Sequence, residues 1–374
     1  MGMWAVIFAL TFVGAAAAFL YLVHCAARLG FVKKLAHGKR KAELGIGAGI
    51  IVALTAVLWL AWGSVNAIVC LIHLVAFRLI AGGVCLIIKK ARKKPLKRNW
   101  AQIAALPITA VYLGAGWVLA HHVWRTDYAI KTEKQVGDIR VVQISDSHVG
   151  ATFDGEGFAK HMENIAALSP DVVLVTGDFV DDDTSLEDMQ TSCKALGELK
   201  KSTKYGVYFA YGNHDKGYYA SQRGYTGEDL ARELEANGVK VLEDESVLID
   251  DRFYIIGRQD RSVENEQGGS RADMAALMSG LDADKFSIVM DHQPCDYEAQ
   301  QQAGADLVLS GHTHGGQLIP INWINKPVSE NERVYGSEKR GDTEFIVSSG
   351  ISDWAMKFKT GCHSEYVVID ISGK

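Results

Sequence analysis

Four apolar stretches, near residues 3–23, 44–62, 66–88 and 101–121, fill most of the first third of the chain. Each approaches the roughly 20 helical residues needed to cross the hydrocarbon core of a bilayer. The charges around them are one-sided. Residues 1–126 contain 15 Lys+Arg and one acidic residue, Glu43, whereas residues 127–374 contain 24 Lys+Arg and 43 Asp+Glu. The net charge of −5 therefore averages a basic, very apolar region with an acidic, mixed one. That split excludes one uniform soluble domain. The hydrophobic fraction of 48% excludes a disordered chain. The acidic larger part repels phosphate backbones, so no nucleic-acid partner is expected.

The loops set an expected orientation. Arg28, Lys33, Lys34, Lys39, Arg40 and Lys41 lie between the first two stretches, and Lys89, Lys90, Arg92, Lys93, Lys94, Lys97 and Arg98 between the last two. Gly63 to Val65, between the middle two, carries no charge. Positive loops stay in the cytoplasm, which both can do only with four spans and an external N-terminus. The first stretch has its basic cluster after it, the reverse of a secretory signal, and reads as a span. The expectation is a multi-pass protein of the cell membrane whose residues after Trp124 lie outside the cytoplasm. Within the third stretch sit His73 and Arg78, with no acidic partner in any span. Arg78 either snorkels or pairs with a carbonyl, or meets a lipid phosphate.

Residues 1–124 thus read as a transmembrane domain, 125–137 as a polar connector and 138–374 as a third region of different character. There, short runs rich in Val and Ile alternate with amphipathic segments. Strands are expected at 139–145, 171–176, 206–211, 253–257, 286–290, 306–310, 344–348 and 366–371, and helices at 156–168 and 184–199. Such alternation indicates a layered α/β arrangement. The six cysteines match no zinc or redox spacing.

Polar blocks follow five of these strands: Asp146-Ser147-His148, Gly177-Asp178, Gly212-Asn213-His214-Asp215, Asp291-His292, and Gly311-His312-Thr313-His314-Gly315-Gly316. Ligands of open α/β sheets bind beyond the carboxyl ends of strands. Five of the seven histidines after residue 126 fall in these blocks. Each block alone has an ordinary reading: Gly-Asp is a common turn, and a lone His292 is more often a hydrogen-bonded core histidine than a ligand. Together, imidazole, carboxylate and one amide oxygen without thiolate suit borderline or hard divalent metals. The donors are too many for one ion and enough for two about 3.5–4 Å apart, which require a bridging carboxylate.

In these ordered blocks the sequence resembles the calcineurin-like metallophosphoesterase superfamily over about residues 138–374. The four spans and the His-Thr-His-Gly-Gly-Gln string ending in Gln317 look like its membrane-anchored bacterial branch. The resemblance implies two packed β-sheets flanked by helices, joined to the helical membrane domain. It also implies that Asp146, His148 and His314 hold one ion, that Asn213, His292 and His312 hold the other, and that Asp178 bridges them. His214 would act beside the phosphate as general acid or transition-state stabiliser, oriented by Asp215. Two divalent ions are implied, manganese first, with iron or zinc as alternatives. Unlike many anchored members, the chain has no Pro-Glu pair between Gly350 and Glu365.

The expected function is a membrane-anchored two-metal phosphohydrolase that cleaves phosphoesters with metal-activated water. Its substrate would be a phospholipid or lipid-linked phosphate, met by the loops 318–328 and 354–359. Alternatives are hydrolysis of a nucleotide-sugar lipid pyrophosphate of the UDP-diacylglucosamine type, as in lipid A synthesis, and a membrane sensor or transporter whose soluble domain only binds metal.

Overall fold

The computed structural model describes residues 3–96, 99–217, 223–323 and 329–374, with side chains except at 3–12 and 266. Lys97 and Arg98 of the second basic loop, and residues 324–328 of the loop expected to face lipid, lie outside the described residues. The chain divides into two compact units, Met1–Gly116 and Trp117–Lys374.

The first unit is helical: α1 (Met3–Ala27), the short α2 (Gly30–Leu35), α3 (Arg40–Arg92) and α4 (Trp100–His121), whose last turns enter the second unit. The 53 residues of α3 are broken at Gly63, where φ is 82° and ψ 172°. This left-handed φ is one that a side chain strongly disfavours and glycine adopts freely. Ala48, Ile50 and Ile51 share an apolar cluster with Leu71, Leu74 and Val75, all packed with Leu22, Val23 and Ala26 of α1. On a straight helix Ile51 and Leu74 would stand about 35 Å apart, so the chain doubles back at Gly63. The stretches expected at 44–62 and 66–88 are the two arms of α3. Among the described residues, α3 and α4 are long and apolar enough to cross a membrane by length and composition.

In the second unit, one six-stranded sheet has the order β1 (Val123–Lys131), β12 (Ser364–Ser372), β2 (Asp138–Ile144), β3 (Val172–Thr176), β4 (Val207–Ala210) and β5 (Lys240–Val241). The other has the order β10 (Gly336–Arg340), β11 (Thr343–Val347), β9 (Leu307–Ser310), β8 (Phe286–Met290), β7 (Phe253–Gly257) and β6 (Glu245–Ile249). β2, β3 and β4 are parallel neighbours, as are β7, β8 and β9. Parallel central strands send all their carboxyl ends to one edge. Their residues are apolar on both faces because both faces are covered. Val141, Leu174 and Tyr208 meet Ile255, Ile288 and Leu309 between the sheets. Val142, Val175 and Phe209 point the other way, onto Phe158 and Ile165 of α5 (Gly155–Ala166), Leu196 of α6 (Leu186–Lys200) and Leu234 of α7 (Gly227–Ala236). Capping starts each of these helices: Asp154, Ser185 and Thr226 each accept a backbone N–H of the first turn.

The expected strands and helices are present within a few residues of their anticipated ends. The connector is the correction: residues 123–131 of the stretch that includes it form β1, paired in parallel with β12 from Val123↔Ser364 to Lys131↔Ser372. Trp124, Thr126, Tyr128 and Ile130 are its half-buried side, and charged Arg125, Asp127 and Lys131 alternate with them on the other. The strands at sheet edges, β5, β6 and β10, were also not anticipated, being short or polar.

Candidate metal centre

All five polar blocks lie at the carboxyl ends of β2, β3, β4, β8 and β9. Three groups of ligand atoms stand within 4.8 Å of one another: Asp146–His148–His314, Asp178–His292–His312 and His148–Asp181–His214. In the first, the Nε2 atoms of His148 and His314 face each other at 3.2 Å and His314 Nε2 is 3.6 Å from Asp146 Oδ1. In the second, His312 Nδ1 is 2.9 Å from Asn213 Oδ1, which adds the amide oxygen to the donors there. Asp178 Oδ2 lies between the sets, 3.0 Å from His292 Nε2 and 3.6 Å from His148 Nε2. Asp146, His148 and His292 are fully buried and Asp178 nearly so.

Local backbone geometry makes this convergence feasible. Asp146, His148, Asp178, His312 and His314 all have left-handed φ, between 36° and 70°. Non-glycine residues hold such angles only where the surroundings impose them, at a cost of about 1–3 kcal/mol each. Glycines provide the clearance. A Cβ on Gly177 would stand 2.6 Å from His292 Nδ1, and one on Gly311 would overlap Ser145 Oγ and Asp146 Oδ2. Neighbours then aim the donors. Asp146 Oδ1 accepts the His312 N–H at 2.9 Å. His292 Nδ1 meets the Thr176 carbonyl at 2.8 Å, which directs Nε2 inward.

The residues fit a pair of divalent cations. His292 Nε2 is buried without a hydrogen-bond partner although it stands beside Asp178, an arrangement suited to an electron-pair acceptor between imidazole and carboxylate. The donors are nitrogen and oxygen throughout. Burial opposes ionisation of Asp178, but His292, His214 and His148 outweigh it and hold its carboxyl well below the usual range.

His214 stands apart from the two ligand sets, and the carboxylate facing it is Asp181, 3.1 Å from Nδ1. Asp181 also stands 3.3 Å from His148 Nδ1. Burial favours neutral His214, yet Asp178, Asp181 and Asp182 raise its pKa to about 9. Asp215, expected to orient His214, has a different place. Its carboxylate accepts the N–H groups of Gly212, Asp178, Phe179 and Val180 at 2.7–3.1 Å, locking two of the strand-end loops together. An ionised carboxylate is the strongest acceptor for such clustered amides. Asp181 was missed by sequence reasoning. Its signal was its position three residues after Asp178, in a loop already assigned to the site.

A second support lies behind His292. Asp291, fully buried, accepts from Arg258 Nη1 at 2.9 Å, Arg271 Nη1 at 3.1 Å and Gln300 Nε2 at 2.7 Å, fixing the chain just before His292. On the opposite flank Lys359 is buried and donates to the carbonyls of Ser349 and Ser352. Glu365 is buried as well and accepts from Tyr335 and Ser349. Lys359 and Phe358 of the 354–359 loop therefore face inward. Trp354 remains exposed, with its ring centroid 5.6 Å from that of His214, and Ile321 and Trp323 are exposed on the neighbouring loop.

The sheet pair and the five convergent blocks define a metallophosphoesterase type of domain, and the sequence comparisons agree. Residues 139–316 match the family model described as calcineurin-like phosphoesterase. An uncharacterized metallophosphoesterase of Campylobacter jejuni is 29% identical over 63% of this chain and 60% of its own length. A transmembrane protein with metallophosphoesterase domain of Danio rerio is 30% identical over 62% of this chain and 56% of its own. An uncharacterized metallophosphoesterase of Aquifex aeolicus is 28% identical over 71% of this chain and 98% of its own. The chain thus spans less than two thirds of the Campylobacter and Danio proteins.

Proposed function

We propose that the chain is a membrane-anchored, metal-dependent phosphohydrolase. The observation that supports this most is the placement of Asp178 Oδ2 between two buried imidazole–oxygen donor sets. In this reading Asp146, His148 and His314 would hold one divalent ion and Asn213, His292 and His312 the other, with Asp178 as the carboxylate shared between the two sets. Two such cations supply activated water near neutral pH and neutralise charge on the transferring phosphoryl group. The chain's own residues do the rest. His214, held by Asp181, donates a proton or hydrogen bond to the departing oxygen. Asp181 orients His214, and Asp215 keeps Asp178 and the Asn213 loop in register.

The apolar helices are read as four spans, with the basic loops in the cytoplasm and the catalytic unit outside it. Manganese is the proposed native ion. The proposed substrate is an amphiphilic phosphoester, a phospholipid or lipid-linked phosphate, with Trp354, Ile321 and Trp323 as apolar contacts beside the metal centre.

The test uses the full chain in detergent, stripped of metal and reloaded with manganese, on nitrophenyl phosphate mono- and diesters. Metal-dependent turnover that Asp178→Asn abolishes is the expected result. Bound metal with no turnover on soluble or lipid phosphoesters would leave only the binding reading. Protease access in intact cells tests the orientation, since a protected catalytic unit places it in the cytoplasm and favours the pyrophosphate substrate.

A further inference from the structure

Among the described residues, no carboxylate faces the Arg78 guanidinium. Between α1, both arms of α3 and α4 lies a cavity of about 190 Å³, walled by Ala26, Ile51, Leu74 and Leu106 and holding two polar side chains, Arg78 and Gln102. Arg78 Nε is buried and has no hydrogen-bond partner. The first unit has one acidic residue, Glu43, and its carboxylate accepts from Arg40 at 3.1 Å. Gln102 uses one amide hydrogen on the Cys25 carbonyl at 2.7 Å, leaving the other for a ligand.

A guanidinium in apolar surroundings is costly until it meets an anion. Phosphate matches its planar fork, and apolar walls suit a hydrocarbon chain. The cavity's place agrees. Gln102 is the third residue of α4 and Cys25 lies two residues before the end of α1, so the cavity opens near the end of the bundle that carries the basic loops. Lys and Arg at such an end concentrate anionic lipid. We infer that this cavity binds an anionic phospholipid, with Arg78 on its phosphate and the apolar walls on an acyl chain. The inference rests on the reading of the first unit as membrane-embedded and is independent of the metal centre.

The experiment is native mass spectrometry of the full chain released from nanodiscs of phosphatidylglycerol or phosphatidylcholine, with Arg78→Gln and Arg78→Lys beside the wild type. The wild type is expected to retain one phosphatidylglycerol in preference to phosphatidylcholine. Arg78→Gln should retain it roughly tenfold less, as for loss of a charge-assisted hydrogen bond, and Arg78→Lys should keep most of it. Excess inorganic phosphate should leave the lipid in place. Equal retention of the two lipids by the wild type overturns the inference, even if Arg78→Gln fails to fold. Equal retention by a folded Arg78→Gln, or exchange of the lipid for free phosphate, also overturns it. Release of the chain from membranes by alkaline carbonate would instead refute the embedded reading itself.

Discussion

At the scale of single residues, the two donor sets and His214 make separable predictions. Asp178→Asn removes the bridging charge, so metal content measured by emission spectrometry and turnover should both fall, turnover by at least about 100-fold. His214→Ala should keep its metal and lose about 10²- to 10⁴-fold in turnover, the usual range for general-acid help. That loss should be largest for esters with a poor leaving group. An equal loss for all leaving groups would give His214 a binding role instead. Asp181→Asn should lose less, about 10- to 100-fold, as for residues that orient a ligand or acid. Gly311→Ala places a methyl group against Ser145 and the proposed ligand Asp146 and should reduce metal binding although Gly311 supplies no ligand atom itself. The residues proposed as ligands were legible in the sequence because each follows a strand, all but His292 with a glycine within a few residues. Asp181 was not, and Asp215 was named but given the role that Asp181 holds, since two carboxylates at similar spacing differ only in where the loop turns them.

At the scale of elements, the buried ion pairs behind β8 are the sensitive point. Arg258→Met leaves fully buried Asp291 short of one charged partner, which should cost about 3–5 kcal/mol and lower the thermal midpoint with little change in KM. Asp296, on the same network, is opposed in ionisation by burial, but Arg271, Arg258 and Arg261 hold its pKa below the ordinary value. A depressed folded pKa gives stability that is present above the unfolded pKa, about 3.9, and lost as pH falls through the folded one. Asp296→Asn should accordingly flatten the loss of stability below about pH 4, read by denaturant midpoints across that range. The elements themselves were legible in proportion to burial. β8, apolar except for Ser287 and covered on both faces, shows its full length in the sequence. β1 hides because Arg125, Asp127 and Lys131 alternate with its half-buried residues, and a period of two in a polar stretch is a weak signal.

At the scale of the whole molecule, metal linkage and unit boundaries are testable. An ion that binds the folded state alone raises the thermal midpoint. Manganese should therefore stabilise the metal-stripped chain and leave Asp178→Asn almost unmoved. A fragment 117–374 keeps the nine-residue pairing of β1 with β12. A fragment 138–374 exposes that edge of β12 and should aggregate in size-exclusion chromatography. By itself the sequence determined the division into a basic apolar part and an acidic α/β part, the central strands, and the chemical types gathered at their ends. Those are set by composition and by periods of two and 3.6, which are local properties of a chain. Only the tertiary structure decided that Asp181 rather than Asp215 faces His214, that Lys359 and Glu365 turn inward, and that Arg78 lines a cavity among apolar side chains. Each of these depends on which distant segments pack together, and side-chain partners across such contacts leave no periodic trace in the sequence.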